Sequence, residues 1–463
     1  MFSKMTTLSD KKFIFIIDLS IIIFSVFLLR FPIALGYRSN VVYRGLGVIP
    51  IFVTLLFNIS FVRKNNLKIK LDKKVLLLLG LFVAFWIQGS IRSALHFMSF
   101  DIFYFIENLF AFLTLGFFVA FAFFANPKPE HQTQLRKGLI YAFGLYITLN
   151  LVFYLLGIDS HDLIYLARYP TQMLDLLGIE SYRVLFPMAD GINSFGLLAG
   201  ATLVGHFQLL KSQSGKLEKI IVFIVLLVCF LVILLTDSRG AFLFSILSIV
   251  LITLPRKVFT FVRWSPFLIS ALPVVVIIFA PNLLSATPSW LNRPKSEWTD
   301  TQGARSERSC PESIMITSGV LSNRPIIWEI VLDELKNFNL IHIVGYGLRG
   351  QVVSNISESY ACLFASYSYN LLASSHNIWL QLILDIGYIG LIITLLLPVF
   401  LILKVTRLSF FVHNNYGYIA LLNILLYIIL IGSLEAPLSP DFYEIFILLI
   451  FVSISSLIVI PNS

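Results

Sequence analysis

The chain has 463 residues with a mean hydropathy of +0.88, and 58% of its residues are hydrophobic, which excludes a soluble globular protein. Its formal charge of +9 would suggest a nucleic-acid partner in a soluble protein. Here the basic residues lie between long apolar runs, so they indicate membrane topology, and we expect no nucleic-acid partner.

Twelve apolar runs, each long enough to cross a bilayer, predict an all-α polytopic membrane protein with about 12 transmembrane helices. The runs lie near residues 13–35, 45–62, 75–95, 102–125, 138–157, 191–210, 220–236, 240–254, 265–281, 378–403, 416–434 and 441–459. The first run lacks a cleavage site of small residues, so we expect it to remain as an uncleaved helix. An even number of spans then leaves both termini in the cytoplasm.

Lysine and arginine are sorted differently across the predicted membrane. Of the 17 lysines, 15 lie in the inner connections, whereas 12 of the 17 arginines lie in outer connections or at outer helix ends. The excess of basic residues on one side fixes the orientation by the positive-inside rule. Arginines that are kept where lysines are absent predict planar guanidinium groups that bind an oxoanion such as a phosphate.

Two outer segments are too long to be simple turns. Residues 158–190 mix apolar and polar side chains and predict one or two short amphipathic helices on the membrane surface. Residues 282–375 form a large periplasmic loop. We therefore expect nine spans over 1–281, the loop over 282–375 and the last three spans over 376–463.

The three cysteines do not predict a metal centre. Cys229 lies within a span, and Cys310 and Cys362 both lie in the large outer loop. An oxidising compartment would permit a disulfide between the latter two, and two free thiols are the alternative. The sequence has no CxxC motif or His/Cys cluster that would suggest a structural metal. We also expect no cofactor.

In the outer turn 236–241, between two spans, Arg239 lies close to the hydrocarbon. A charge at this depth is costly unless it faces the bundle interior and meets an anion or an acid. The residue-level alternatives are an ion pair between Asp237 and Arg239, or an arginine that reaches the lipid headgroups. A role in anion binding is favoured, because a simple turn does not require a charge there.

A helix is predicted to begin at Asn323-Arg324-Pro325, since Asn323 can cap it and proline suits its first turn. Its apolar face is predicted to contain Ile326, Ile327, Ile330, Val331, Leu335 and Phe338. Arg324 lies where free N–H groups and the helix dipole also favour an anion. Taken alone, however, this position favours a solvated first-turn arginine.

His376, in Ser375-His376-Asn377, opens the tenth span at the outer membrane surface. A lone histidine is usually structural, but this position makes it a candidate general base. Asp385 lies about two and a half turns further along the predicted helix, too far for a direct contact with His376. We therefore expect Asp385 to bind a neighbouring helix.

The sequence Val344-Gly345-Tyr346-Gly347 is similar to a potassium-channel filter. A filter must lead within a short stretch into a spanning helix, yet some thirty residues separate Gly347 from the next span. A channel is therefore disfavoured. We expect the glycines to form a tight turn near a ligand, with Arg349 beside them.

As an ordered set, these motifs resemble the bacterial O-antigen ligase and polymerase superfamily over roughly residues 185–395. The motifs are Ser238-Arg239-Gly240-Ala241, Arg324-x-x-x-Trp328, Gly345-x-Gly347, His376-Asn377-x-x-Leu380-Gln381 and Asp385-x-Gly387-x-x-Gly390-Leu391, and Arg183 with Asn193-Ser194 is a further similarity. The resemblance implies a helical bundle in the bacterial inner membrane. Its active site would open to the periplasm.

The resemblance also implies an inverting glycosyltransferase whose donor glycan is carried on undecaprenyl diphosphate, without a metal or a nucleotide sugar. Arg239 and Arg324 would bind the donor diphosphate, and His376 would deprotonate the acceptor hydroxyl. Supporting candidates are Arg183, Arg349, Trp328, Asn377 and Asp385.

Three functions remain open at the level of the sequence. A polymerase would join one lipid-linked repeat to another, and it is favoured because 158–190 adds a second outer surface beside 282–375. A ligase would transfer the glycan to lipid A core or to a protein. A lipid-linked glycan flippase is disfavoured, since no internal repeat is visible. Expected partners are the donor, the glycan or lipid A core acceptor, the bilayer and other polysaccharide assembly proteins.

Overall fold

The computed structural model describes eight stretches of the chain and some single residues between 77 and 92. The stretches are 129–158, 171–189, 191–212, 215–253, 324–347, 349–361, 374–411 and 416–432. The predicted spans 13–35, 45–62, 102–125, 265–281 and 441–459 lie outside them. So do the first part of the large loop, Cys310 and Cys362.

Within these stretches the chain is helical and contains no β-strand. The helices are α1 (Pro129–Leu155), α2 (Gln172–Asp175), α3 (Ile192–Ser212), α4 (Lys216–Leu235), α5 (Arg239–Thr253), α6 (Arg324–Lys336), α7 (Ile341–Val344), α8 (Gly350–Val353), α9 (Ile356–Tyr360), α10 (Ile378–Phe411) and α11 (Tyr416–Ile431). Six of them, α1, α3, α4, α5, α10 and α11, coincide with predicted apolar runs.

One described helix, α4, is long and apolar enough to cross a membrane. Its exposed residues from Ile220 onward are apolar and include Ile221, Phe223, Ile224 and Leu227, whereas Lys216, Glu218 and Lys219 are exposed at its start. The opposite face packs inward through Val222, Val225, Cys229, Val232 and Ile233. Apolar side chains on both faces are typical of a helix that has protein on one side and lipid on the other.

The centre of this bundle is α3, which packs against α1, α4, α5 and α11. The Tyr427 hydroxyl of α11 donates a hydrogen bond to the Leu197 carbonyl oxygen at 2.9 Å, which joins α11 to α3. On α5, Ser248 donates from Oγ to Oδ1 of Asn423 at 2.6 Å. These two hydrogen bonds pair buried polar groups between helices, which lowers the cost of placing them in an apolar environment.

A smaller hydrophobic core holds the loop helices against α10. Its members are Ile327, Trp328, Val331, Leu335, Ile356, Tyr360, Leu380, Ile383 and Leu384. The predicted face of α6 is confirmed at Ile327, Val331 and Leu335. It was wrong at Phe338, because α6 ends at Lys336 and leaves the Phe338 side chain exposed, stacked on Tyr388.

The outer segment is less helical than its composition predicted. In 171–189 the structure contains one helical turn, α2, which ends where Gly178 adopts a φ of 75°. Leu176, Leu177 and Ile179 follow it with largely exposed side chains. A single turn is too short to sort apolar and polar residues onto two faces, so this part of the segment is not an amphipathic helix.

Candidate functional site

The outer turn that carries Arg239 is held by the segment 171–189. Arg239 donates from Nη1 to Oε1 of Gln172 at 2.7 Å. Asp237 accepts the backbone N–H of Met173 at its Oδ1, at 3.0 Å. The Asp237–Arg239 ion pair, an alternative left by the sequence, is long at 4.0 Å. The closer partner of Arg239 is therefore an uncharged amide, and the Asp237 carboxylate acts on its charge from a longer distance.

Arg183 stabilises the same turn from the other side. It donates from Nε to the Thr236 carbonyl oxygen at 2.9 Å and from Nη2 to Oδ1 of Asn193 at 2.6 Å. Asp237, which follows Thr236, has a φ of 51°, a conformation that is unfavourable for a residue with a Cβ. The planar guanidinium of Arg183 thus connects the outer turn 236–241 to Asn193, at the start of α3, by two hydrogen bonds.

Burial lowers the pKa of the Arg239 guanidinium; the charge of Asp237 opposes this shift, and the charge of Arg324 adds to it. Arg239 and Arg324 are each the first residue of a helix, α5 and α6 respectively, and the Arg239 side chain is about one-third exposed. Helix N-termini add positive potential and free N–H groups to the two guanidinium groups. Like charges that act on each other are costly without an anion, so this region is suited to bind a phosphate-like group.

Trp328 joins α6 to the segment that contains His376. It lies one helical turn after Arg324, and its indole Nε1 donates to the Ser375 carbonyl oxygen at 3.0 Å. Both Trp328 and Ser375 are buried. This hydrogen bond links the first turns of α6 to the residue that precedes His376.

His376 itself has an unusual backbone conformation, with a φ of 49°. Its side chain is partly exposed, whereas its neighbours Ser375 and Asn377 are fully buried. Asn377 caps α10, since its Oδ1 accepts the N–H groups of Trp379 at 3.0 Å and Leu380 at 3.2 Å. The role of Asn377 in the structure is thus a helix cap beside the histidine.

Asp385 is buried in α10 and accepts hydrogen bonds from other elements. Its Oδ1 accepts the backbone N–H of Gly350, the first residue of α8, at 2.8 Å and Nε2 of Gln381 at 2.8 Å. Arg349, which has a φ of 61°, is the residue that precedes α8. The carboxylate thus anchors the start of α8 on α10.

The two loop glycines contact a break in α10. Gly387 adopts φ 73° and ψ −179° within the helix, so the carbonyl groups before it do not continue the helical pattern. The Leu384 and Asp385 carbonyl oxygens accept instead the N–H groups of Tyr346 at 2.7 Å and Gly347 at 2.9 Å. The Gly345-x-Gly347 motif is therefore a backbone clamp on α10.

Replacement of Gly387 by alanine should destabilise the protein. A Cβ there would collide with the Ile343 carbonyl oxygen, and the positive φ alone costs about 1–3 kcal/mol for other residues. We expect a lower melting temperature in detergent. Gly80→Ala, at a helical glycine with open space around it, is the control and should leave the melting temperature unchanged. Equal melting temperatures for both variants would contradict the clamp.

Two tyrosines near the clamp remain neutral hydrogen-bonding groups. Burial raises the pKa of the Tyr346 hydroxyl, and the charge of Glu334 adds to the rise. Burial also raises the pKa of Tyr360, with a smaller contribution from the charge of Asp385. Since a raised tyrosine pKa keeps the hydroxyl protonated at neutral pH, neither residue serves as a base there.

Sequence reasoning did not assign a role to several residues that form this site. Gln172, Gln351, Gln381 and Arg92 contact the candidate residues or their loops. Arg92 donates from Nη1 to the Gly345 carbonyl oxygen at 2.5 Å. The position of Arg92 at the outer end of an apolar run could have marked it as a site residue. Amide side chains such as Gln172 have no sequence pattern that would mark them.

Comparison with known protein families gives one match. Residues 224–395 match the family model described as O-antigen ligase. This confirms the resemblance to the O-antigen ligase and polymerase superfamily. No curated protein sequence matches the chain.

The matched O-antigen ligase segment contains Arg239, Arg324, His376 and Asp385 and begins after Arg183. It supports a glycan-transfer function of the O-antigen ligase or polymerase type. With that function come a membrane setting and lipid-linked glycan substrates.

Proposed function

We propose that this protein is a membrane glycosyltransferase whose donor is an oligosaccharide linked to undecaprenyl diphosphate. The observations that support the proposal are that Arg239 and Arg324 are the first described residues of α5 and α6, and that the charge of Arg324 acts on the Arg239 guanidinium. Two guanidinium groups suit a diphosphate because each can donate paired hydrogen bonds to phosphate oxygens.

The transfer step needs only these two arginines and His376. The imidazole takes the proton from the acceptor hydroxyl, and that oxygen attacks the anomeric carbon of the donor sugar. The bond between this carbon and the diphosphate oxygen breaks, and undecaprenyl diphosphate leaves with its charge neutralised by Arg239 and Arg324. A single in-line displacement inverts the anomeric configuration.

The charge of the leaving group is neutralised by protein side chains, so we infer a metal-independent reaction. Transfer should therefore continue at an unchanged rate when a chelator such as EDTA is added to the purified protein. Transfer of radiolabelled glycan with and without the chelator measures this. A loss of activity that added Mg²⁺ or Mn²⁺ restores would contradict the metal-free mechanism.

We infer a protein of the bacterial inner membrane with about twelve spans and both termini in the cytoplasm. The site then faces the periplasm, between nine spans over 1–281, the loop over 282–375 and three spans over 376–463. The apolar exposed face of α4 supports a position in lipid. A polyprenyl tail must stay in the bilayer, so the site should open sideways to the outer leaflet.

Within this reaction type we favour a polymerase. The supporting observation is that the segment 171–189 contacts the diphosphate-binding turn through Gln172 and Met173. The same segment exposes Leu176 and Leu177. It therefore offers an apolar surface next to the site for a second undecaprenyl-linked glycan, the acceptor that a polymerase uses.

A ligase is the second candidate, because the matching family model is described as O-antigen ligase. Deletion of the gene distinguishes the two. Loss of a polymerase leaves surface lipid that carries single glycan repeats, whereas loss of a ligase leaves none on the acceptor. A normal ladder of glycan lengths in the deletion strain would contradict both. A flippase, unlike either enzyme, should still translocate lipid-linked glycan after His376→Ala.

A further inference from the structure

Gln381 uses both ends of its side-chain amide, one helical turn after the cap of α10. Its Oε1 accepts the backbone N–H of Ser375 at 3.0 Å. Its Nε2 donates to Oε1 of Gln351 at 2.6 Å and to Oδ1 of Asp385 at 2.8 Å. The side chain is buried, so these bonds are shielded from competition by water.

Asp385 determines which way this amide faces. A carboxylate can only accept hydrogen bonds, so the NH₂ group of Gln381 must lie toward Asp385. The carbonyl oxygen of the amide then lies toward Ser375, where it can accept an N–H. The Gly350 N–H, which bonds the same carboxylate oxygen, holds Asp385 in place.

Ser375 is fixed at each of its polar groups. Its N–H donates to Gln381, its carbonyl oxygen accepts from Trp328, and its hydroxyl donates to the Asn377 carbonyl oxygen at 2.9 Å. It is fully buried. Rotation of the backbone before His376 would therefore break at least one buried hydrogen bond.

His376 depends on this support because of its own conformation. A φ of 49° crowds the Cβ of a residue other than glycine, and such a backbone persists only where the surroundings enforce it. The enforcing contacts are those on Ser375 and the cap formed by Asn377. Of the residues that act on Ser375, Gln381 reaches it from within α10, and its amide is buried with no atom at the surface of the site.

We infer that Gln381 is a positioning residue for His376. Its amide links Asp385, which is held in place, to Ser375 by hydrogen bonds. It thereby orients the imidazole of the next residue and does not itself contact the substrate. The inference rests on the proposed function, in which His376 is the base. On this inference, the Gln381 side chain affects the proton-transfer step and does not affect donor binding.

The first test replaces Gln381 by methionine, which has a similar shape but makes none of these hydrogen bonds. We expect kcat to fall about 10- to 100-fold, because small misplacement of a catalytic group has effects of that size. The KM for the donor and direct donor binding should be unchanged. Gln208→Met is the matched control: Gln208 is also buried, its Nε2 makes no hydrogen bond, and it lies in α3. It should retain wild-type kcat.

A second variant, Gln381→Glu, separates positioning from loss of stability. The introduced carboxyl group, when protonated, can accept from Ser375 and donate to Asp385, whereas its ionised form repels Asp385. We expect the ratio of the variant's kcat to that of the wild type at the same pH to increase as the pH is lowered. A ratio that stays constant with pH would overturn the positioning role, since a general packing defect has no such dependence.

A readout without catalysis keeps this inference distinct from the proposed function. Diethyl pyrocarbonate modifies the imidazole ring of histidine. Its rate of reaction with His376, measured by peptide mass spectrometry, therefore depends on how the ring is oriented and held. We expect a faster rate in Gln381→Met than in the wild type and in Gln208→Met. Equal rates would overturn the inference even if the wild type transfers glycan. A wild type that transfers none would instead contradict the proposed function, and a changed modification rate would still support the positioning of His376.

Discussion

His376→Ala should abolish glycan transfer while the protein still binds its lipid-linked donor. A general base contributes about 10²- to 10⁴-fold to the rate, and it acts in the chemical step alone. The segment that holds the imidazole is fixed by Ser375 and Asn377, both buried, so the substitution removes the ring without loosening its surroundings. The expected kinetic result is a large fall in kcat with little change in the affinity for donor.

The measurement is transfer from purified undecaprenyl-diphosphate glycan in detergent, together with a direct donor-binding assay. His131→Ala, in the first turn of α1, removes a histidine elsewhere and should leave both quantities unchanged. Wild-type turnover in His376→Ala would remove the base assignment. Loss of donor binding would show that His376 contributes to the ground-state complex instead.

Arg324→Lys should cause a loss of transfer of about 100-fold although the positive charge is retained. A lysine at the start of α6 offers a single ammonium group, whereas the guanidinium can donate two parallel hydrogen bonds to a phosphate. Loss of a single donor to a developing charge has effects of this size on kcat. The variant should insert in the membrane normally, since the substitution leaves the charge at this position unchanged.

Arg239→Ala should weaken donor binding and turnover together, by about tenfold or more in affinity, because in the proposed mechanism its guanidinium binds the diphosphate before and during the reaction. Arg136→Lys, in α1, is the control for the lysine substitution. The same two assays distinguish the arginines from His376. Wild-type affinity and kcat in both arginine variants would exclude the diphosphate site.

Local features of the sequence predicted the helices well where the structure describes them. The run predicted at 220–236 is α4, Lys216–Leu235, and the run at 240–254 is α5, Arg239–Thr253. The helix predicted after Asn323 is α6, Arg324–Lys336; Asn323, its predicted cap, lies outside the described residues. Apolar length and capping act within a few residues, so they can be read without knowledge of the fold.

Features that depend on a partner elsewhere in the chain were not predicted. The described part of the outer segment, 171–189, contains a single short helix, and its Met173 N–H and Gln172 side chain bind the Arg239 turn, 64 and 67 residues away in the chain. The glycines of Gly345-x-Gly347 were expected near a ligand. The structure shows them against the break at Gly387, where backbone atoms of two segments meet.

The sequence by itself determined which residue types could form the site: arginines at two helix starts, a histidine at a third, and the order of motifs on which the superfamily resemblance rests. Only the tertiary structure decided how they are held. Trp328 reaches Ser375 across 47 residues and Gln381 reaches Gln351 across 30. A single buried amide or indole N–H has no periodic or compositional pattern, and its partner is defined only when the helices pack and exclude water.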